Sequence, residues 1–345
     1  MIKAIDFFCG AGGLTRGLLN VGINVLAGID NDEGLRQTYE SNNMPSRFIR
    51  QDIREVNITH LRQELAIRDT ELILYAACTP CQPFSTLSKL KGRDERKNLL
   101  LVFAELVRQC PPDFILVENV PGLNNAYGKE VYQPFAELLQ ICGFTEIAGD
   151  LLDAKNLGVP QTRKRFILLA SRHNSIHLPS PDTAPERFAT VRQYIEKYPP
   201  IPDGGESKDY PNHTSRCLQP HHKRIVQAVP RNGGSRLDIA DTSLLLKCHQ
   251  KNPNVHKDVF GRMVWDKPAP TLTCRCTDVY CGRFIHPEQD RGISLREAAA
   301  LQTFNDSYEF FGSSFLYIAR QIGNAVPVKL AEKLGESIKD SVSRL

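Results

Sequence analysis

The stretch Asp6-Phe7-Phe8-Cys9-Gly10-Ala11-Gly12-Gly13 decides how the rest of the chain is interpreted. It joins an apolar run, Ala4–Phe8, to a run with helical spacing, Leu14–Val21. This order is typical of a β-strand followed by a tight loop that opens a helix. Glycines in such a loop permit a sharp turn and let a ligand approach the backbone closely. The stretch therefore predicts either a ligand-binding loop or a purely structural turn.

Further short apolar runs follow the first one, and each is predicted to be a strand. These runs are Ile23–Ile29, Arg47–Ile49, Leu72–Ala76, Phe114–Val117 and Phe166–Ala170. Helical spacing recurs at Leu99–Gln109. Strands that alternate with helices favour an α/β fold with a doubly wound, mostly parallel sheet. Because ligands of such sheets bind beyond the carboxyl ends of the strands, we expect the functional residues at those ends.

Two carboxylates stand at such strand ends and indicate a nucleoside ligand. Asp30 ends the second predicted strand, where it could accept hydrogen bonds from ribose hydroxyls, and Asp52 follows the third, where it could meet an adenine amino group. The loop glycines do not follow the Gly-x-Gly-x-x-Gly spacing of dinucleotide sites. A cofactor without a pyrophosphate, such as S-adenosylmethionine, therefore suits the loop better than NAD.

Cys81 lies between two prolines, Pro80 and Pro83, in a stiff turn after an apolar strand. A cysteine held in this way is a candidate nucleophile. Cys78 and Cys81 could alternatively form a redox pair or half of a zinc site. The cysteines of a later segment leave a second metal site open: Cys248, Cys274, Cys276 and Cys281. We predict no metal.

Three further polar residues surround the predicted strands. Glu118 ends the strand Phe114–Val117, where it is either a catalytic acid or an exposed helix cap. Arg163 and Arg165 share one face if their stretch is extended. Two guanidiniums on one face suit a phosphate or a base with a carbonyl group, although a solvated turn would look the same.

The charge distribution separates one segment from the rest of the chain. The 345 residues hold 43 basic and 39 acidic side chains. Residues 180–285 carry 16 of the basic and 11 of the acidic groups, a net of +5, which leaves −1 elsewhere. This segment is also rich in Pro, Gly, Asn and His, so we expect irregular structure with short strands. Its positive charge suits a surface that meets a polyanion, although a chance fluctuation on a solvated surface would look the same. No signal peptide or membrane-spanning run is recognisable, which favours a soluble cytoplasmic protein.

The order of these motifs resembles that of the DNA (cytosine-5)-methyltransferases of bacterial restriction–modification systems. Six motifs carry the resemblance across residues 6–327: Asp6–Gly13, Pro80-Cys81-Gln82, Glu118-Asn119-Val120, Gln161-x-Arg163-x-Arg165, Arg291–Ala299 and Gln321–Pro327. Two departures exist, since Cys78-Thr79-Pro80 replaces a Pro-Pro turn of many members and Asn31 stands where some have an aromatic residue. The second departure could weaken cofactor affinity.

The resemblance implies a role for each site residue. Cys81 would attack cytosine, Glu118 would act as the acid, and Arg163 and Arg165 would bind around the flipped base. The residues implied to bind S-adenosylmethionine are Phe8, Gly10, Gly12, Gly13, Asp30, Asn31, Asp52, Ile53, Pro80, Leu99, Asn324, Ala325 and Val326. The residues implied to contact DNA are Gln82, Ser85, Lys89, Lys91, Arg93 and Arg96, within or before a loop 89–98 that resembles the family's mobile lid, and Arg262, Arg275 and Arg283 in the recognition segment.

The family also implies two domains and a partner. Residues 1–180 and 318–345 would form the catalytic domain, which binds S-adenosylmethionine in a Rossmann-like fold, and 181–317 the smaller, irregular target-recognition domain with the hinge. The last helix is expected from Ile318 to Leu345. The chain would act as a monomer on double-stranded DNA, nucleoid-associated in a bacterium, beside a possible cognate restriction endonuclease. Alternatives are a transfer-RNA methyltransferase of the same family, disfavoured because the Cys-Phe-Thr tripeptide of that branch is absent, a non-catalytic DNA-binding relative, and a Rossmann-type oxidoreductase.

Overall fold

The computed structural model describes residues 1–80, 99–124, 128–173, 176–181 and 184–343. Within these ranges the chain divides into two compact units. Unit 1 comprises Met1–Leu157, Lys164–Asp182 and Val326–Leu345, and unit 2 comprises Gly158–Arg163 and Thr183–Ala325. The observed division after Ala325 lies eight residues beyond the border at 317 that the sequence suggests. The functions expected of the two units stay predictions.

Unit 1 is built on a seven-stranded sheet. Its strands are β1 (Ile2–Phe7), β2 (Asn24–Asp30), β3 (Arg47–Arg50), β4 (Leu72–Ala77), β5 (Phe114–Asn119), β6 (Glu146–Asp153) and β7 (Lys164–Ser171), in the order β3-β2-β1-β4-β5-β7-β6. The strands β1 to β5 are parallel to one another, whereas β7 is antiparallel to β5 and β6. This confirms the predicted mostly parallel, doubly wound sheet.

Helices of unit 1 connect and cover these strands. They are α1 (Gly13–Asn20), α2 (Arg36–Asn42), α3 (Ile58–Glu64), α4 (Leu99–Gln109) and α5 (Lys129–Ile141). The strands β1, β4 and β5 are almost continuously apolar and buried, which is typical of parallel strands covered on both faces. Phe7, Phe103 and Phe135 fill the core between sheet and helices.

Unit 2 has little regular structure, as its composition predicts. Its helices are α6 (Val191–Ile195), α7 (Pro220–Ala228), α8 (Lys247–Lys251), α9 (Leu295–Leu301) and α10 (Phe315–Asn324). The expected short strands are not found among the described residues, where isolated bridges such as Arg262↔Ile285 replace them. One part of its core packs Ile225 and Val226 of α7 against Phe260, Val279 and Ile285.

The end of the chain differs from the single helix expected over 318–345. It forms α10 in unit 2 and α11 (Val328–Val342) in unit 1, separated by Ala325–Pro327. Pro327 lacks an N–H donor, so a continuous helix could not bond through it. Helix α11 packs on α1, where a side-chain carbon on Gly17 would lie 2.4 Å from the Ala331 Cβ. None of the helices in the described ranges is long and apolar enough to cross a bilayer.

Candidate active site

The glycine loop, Asp30 and Glu118 lie at the carboxyl edge of the unit 1 sheet. The glycine loop follows β1 and is tied to the end of β2, because the Gly10 amide donates to Asp30 Oδ2 over 3.1 Å and the Cys9 amide to the Ile29 carbonyl over 3.1 Å. Gly12 has φ 84° and precedes α1, a backbone conformation that favours glycine. The loop is therefore anchored on β2 rather than being a free turn.

The face of this loop is open to a ligand. A side-chain carbon on Gly10 would meet no atom within 4 Å. The aromatic ring of Phe8 is half-buried beside the core, and its backbone has φ 60°. Burial raises the pKa of Asp30, against the lowering effect of hydrogen bonds from the Asp32 and Gly10 amides. An aromatic face, a carboxylate and an open glycine backbone fit a nucleoside.

The two residues predicted after β3 are at the same edge. Asp52 caps a short 3₁₀ turn, Ile53–Glu55, and accepts hydrogen bonds from the Arg54 amide, Nε and Nη2 over 2.7–3.0 Å. The side-chain hydrogen bonds from Arg54 lower the pKa of Asp52 to about 2. The carboxylate is thus fixed and charged, and it can accept a further N–H donor. Ile53 is 5% exposed and belongs to the core.

The turn that leads to Cys81 is held between β1 and β5. The Cys78 amide donates to the Phe7 carbonyl over 3.2 Å. Buried Asn119, at the end of β5, donates from Nδ2 to the Thr79 hydroxyl over 2.6 Å. Sequence reasoning missed this bond, although Asn119 lies inside a quoted motif. Pro80 is described, whereas the predicted residues Cys81, Gln82, Ser85, Lys89, Lys91, Arg93 and Arg96 lie outside the described residues.

Glu118 and Arg165 form an ion pair at this edge. The antiparallel register places Glu118 opposite Ile167, so that the neighbouring Arg165 reaches it. Arg165 Nε lies 3.0 Å from Glu118 Oε1, within ion-pair distance but without the alignment of a hydrogen bond. Glu118 is 5% exposed. A buried acid beside a guanidinium can hold a polar ring between fixed donors.

Arg163 is held by backbone carbonyl groups of unit 2. The strand β7 begins at Lys164, so the alternation that would place Arg163 and Arg165 on one face does not apply. Arg163 is 2% exposed and donates to the carbonyls of Leu272 (2.9 Å), Ala325 (3.1 Å) and, more weakly, Gly323 (3.4 Å). The guanidinium thus caps the carboxyl end of α10. The base-binding role of Arg163 stays a prediction.

The remaining predicted cofactor residues are placed as follows. Leu99 begins α4 and packs on the core of unit 1. Asn324 is exposed at the end of α10, Ala325 is 8% exposed, and Val326 is 4% exposed. The exposed position of Asn31 leaves it accessible beside Asp30.

Only one of the three arginines predicted to read DNA presents an exposed guanidinium. Arg262 has no exposed surface and donates to the carbonyls of Val229, His286 and Gln289, among others; its contact with DNA stays a prediction. Half-buried Arg283 donates to the carbonyls of Gly233 and Gly234. Arg275 retains about half of its side-chain surface (48%). Within the described ranges no three His, Cys, Asp or Glu side chains could hold a metal ion, and no disulfide joins the described cysteines.

A Rossmann-like mixed sheet with these groups at its carboxyl edge defines the methyltransferase class of fold. A DNA modification methyltransferase encoded within an E. coli prophage superposes with a TM-score of 0.73, at 23% identity, covering 99% of this chain and 100% of that one. The S. pombe Dnmt2 methyltransferase does so with a TM-score of 0.63, at 16% identity, covering 99% of each. Both comparisons concern the fold.

The sequence comparisons identify the family. The model of the C-5 cytosine-specific DNA methylases matches residues 2–340. The Type II methylase M.HgiDII of Herpetosiphon aurantiacus is 39% identical over 340 residues, covering 97% of this chain and 94% of that protein. The Type II methyltransferase M.AgeI of Thalassovita gelatinovora is 27% identical, covering 99% and 100%. The chain belongs to the C-5 cytosine-specific DNA methylase family and is a DNA cytosine-5 methyltransferase of the Type II restriction–modification kind.

Proposed function

We propose that this enzyme transfers a methyl group from S-adenosylmethionine to carbon 5 of a cytosine that is flipped out of a specific duplex DNA sequence. The buried ion pair of Glu118 and Arg165, beside the fixed turn that ends at Pro80, is the observation that carries the proposal. It supplies a donor and an acid, and the turn bonded to Asn119 leads in the sequence to Cys81.

The residues of the glycine loop fit the cofactor. The adenine would stack on Phe8, the ribose hydroxyls would donate to Asp30, and the adenine amino group to Asp52. Asn324, Ala325 and Val326 take their proposed cofactor role from the family resemblance, as do Pro80 and Leu99. When bound, S-adenosylmethionine supplies an electrophilic methyl group on a sulfonium and leaves as S-adenosylhomocysteine.

The chain's own residues make cytosine reactive toward that methyl group. Carbon 5 of cytosine is a poor nucleophile, and addition of the Cys81 thiolate to carbon 6 turns the ring into an enamine whose nucleophilic atom is carbon 5. Glu118 donates a hydrogen bond or proton to ring nitrogen 3, and Arg165 holds Glu118 and the carbonyl oxygen on carbon 2 of cytosine. After methylation, loss of the proton on carbon 5 and β-elimination release the Cys81 thiolate and restore the aromatic ring.

Access to the ring requires extrusion of the base, since its faces are covered in a stacked duplex. Unstacking costs a few kcal/mol. We propose that the basic loop 89–98 and the basic segment 180–285 offset this cost through contacts with the DNA backbone. A cognate endonuclease that cuts the unmodified sequence is the expected partner in the cell.

Replacement of the nucleophile tests this proposal. With labelled S-adenosylmethionine, Cys81→Ser should lower the rate of 5-methylcytosine formation in duplex DNA by at least about 10⁴-fold, because no thiolate forms the intermediate. Cys217→Ser, which changes an exposed thiol in unit 2, is the matched control and should retain activity. Robust methylation by Cys81→Ser would refute the covalent route, and preference for transfer RNA over duplex DNA would refute the substrate.

A further inference from the structure

Buried Asp278 lies between two exposed guanidiniums of unit 2. Its Oδ2 accepts from Arg275 Nε over 2.7 Å, and its Oδ1 from Arg216 Nη1 over 2.6 Å. The Asp278 side chain is 1% exposed, whereas those of Arg275 and Arg216 are 48% and 39% exposed. One hidden carboxylate therefore orients two cations that face solvent.

The backbone that carries this group is rigid. Successive turns close it, since the Cys276 amide donates to Thr273, the Asp278 amide to Arg275, and the Cys281 amide to Asp278, over 2.9–3.0 Å. The intervening Val279 is fully buried in the core beside α7, and its carbonyl accepts from the Phe260 amide over 2.7 Å. Arg275 is thus presented by a turn that is fixed to the core of unit 2.

The guanidinium of Arg275 is held along its Nε–Nη2 edge, and its Nη1–Nη2 edge is available. Nε is used by Asp278, and Nη2 donates to the Tyr280 hydroxyl over 2.6 Å. The guanidinium carbon also lies 4.9 Å from the centre of the Tyr280 ring. Among the residues that the structure describes, Nη1 donates to no acceptor, so the fork formed by Nη1 and the second N–H of Nη2 points away from its supports.

We propose that Arg275 is a specificity-determining residue that reads guanine in the major groove of the target DNA, and that Asp278 and Tyr280 are its positioning residues. The proposal rests on the proposed methylation of duplex DNA. Guanine offers two adjacent acceptors, O6 and N7, that match an arginine fork. A phosphate can also accept a paired contact from an arginine fork, but it carries no sequence information, so the two kinds of contact differ in their effect on sequence preference.

Methylation of a duplex library with randomised sequence, read by bisulfite sequencing, tests the proposal. The wild-type enzyme should define a recognition sequence that contains a guanine. Arg275→Ala should relax the preference at one guanine position by about 10- to 100-fold, while the other positions keep theirs. Arg275→Lys should fail to restore it, because an ammonium cannot make the paired contact. Asp278 keeps Arg216 as a partner in both variants, so folding should be retained.

Arg192→Ala is the matched control. Arg192 is also a partly exposed arginine of unit 2, bonded to an acid, Asp266, over 2.7 Å and placed 5.2 Å from the ring of Trp265. This variant should keep the wild-type preference at every position. The melting temperature of Arg192→Ala also shows how much stability is lost when a partly exposed, acid-bonded arginine is removed.

Tyr280→Phe and Asp278→Asn test the positioning role. Tyr280→Phe removes one support and keeps the ring, so it should relax the same guanine position to a smaller extent than Arg275→Ala. When Tyr280→Phe or Asp278→Asn is combined with Arg275→Ala, the preference at that guanine position should relax no further. A uniform loss of methylation at all sequences, or rescue by Arg275→Lys, would identify a phosphate contact and overturn the proposal. Absence of methylation by the wild-type enzyme would instead refute the proposed function.

Discussion

Replacement of Arg163 by methionine should destabilise unit 2 far more than an ordinary surface substitution. The guanidinium makes two short bonds, to Leu272 and Ala325, and a third at 3.4 Å that adds little. Hydrogen bonds from a charged donor contribute about 1.5–3 kcal/mol each. Gln302 also donates to the Ala325 carbonyl over 3.2 Å, which would keep that acceptor paired in the variant. We therefore expect a loss of about 3 kcal/mol, near the lower end of the range for two bonds.

Thermal and urea unfolding measure this loss. For a unit of this size, about 3 kcal/mol corresponds to a fall in melting temperature of roughly 6–12 °C. Lys164→Met is the matched control, since Lys164 is the exposed neighbour and should change stability by less than about 0.5 kcal/mol. A stable Arg163→Met enzyme with lost methylation would refute the capping role and restore the expectation that Arg163 contacts the base.

Three further substitutions test other parts of the structure. Burial raises the pKa of Asp6 to about 7 from 3.8, so its neutral form favours folding at low pH and that contribution is lost as the pH rises through 7. Asp6→Asn should therefore gain about 3 kcal/mol of stability relative to the wild type as the pH rises from 5 to 8, and a constant difference across that range would contradict this. Burial disfavours the Glu297 carboxylate, but Arg291, 2.7 Å away, holds its pKa at about 2. Glu297→Gln should lower the free energy of unfolding by about 3–5 kcal/mol in urea titration because Arg291 loses its counter-ion, and a loss below about 1 kcal/mol would exclude this. Gly17→Ala should lower the free energy of unfolding by about 1–3 kcal/mol in thermal melts, because the added carbon meets Ala331. This loss already includes the preference of a helix for alanine over glycine, about 1 kcal/mol. A stabilised variant would show that α1 and α11 shift apart easily.

The fold was largely predictable because its central strands are short, apolar and buried on both faces. Helix α4 has the predicted bounds, Leu99–Gln109. The bounds of the central strands agree with the predicted ones within a few residues. The strand β6 was missed because it lies at the edge of the sheet, is mostly exposed, and contains Gly149 and Asp150, which are rare in strands. The break between α10 and α11 was missed although Pro327 signals it.

The positions of site residues were predictable where neighbouring strands of the sheet bring them together. They were not predictable where a side chain is held by backbone groups that are distant in the sequence. Asp30 is the last residue of β2 and Glu118 is the last but one of β5, so the topology places both at the carboxyl edge of the sheet. The burial of Arg163 and Arg262 depends on carbonyl groups far away in the chain, which no local pattern reveals. Their sequence is equally compatible with a DNA contact. Among the three arginines predicted to contact DNA from residues 180–285, Arg275 is exposed, Arg283 is half-buried and Arg262 is buried.

The packing of α1 against α11 imposes an order on folding during synthesis. All of unit 2 lies in the sequence between these two helices. Leu18 of α1 would lie 3.2 Å from a side-chain carbon on Gly335 of α11, so the apolar face of α1 has its partner only when the last helix leaves the ribosome. Unit 2 can fold before that moment, whereas unit 1 cannot be completed until after it. Nascent chains that end before Val328 should therefore be the species that needs chaperones.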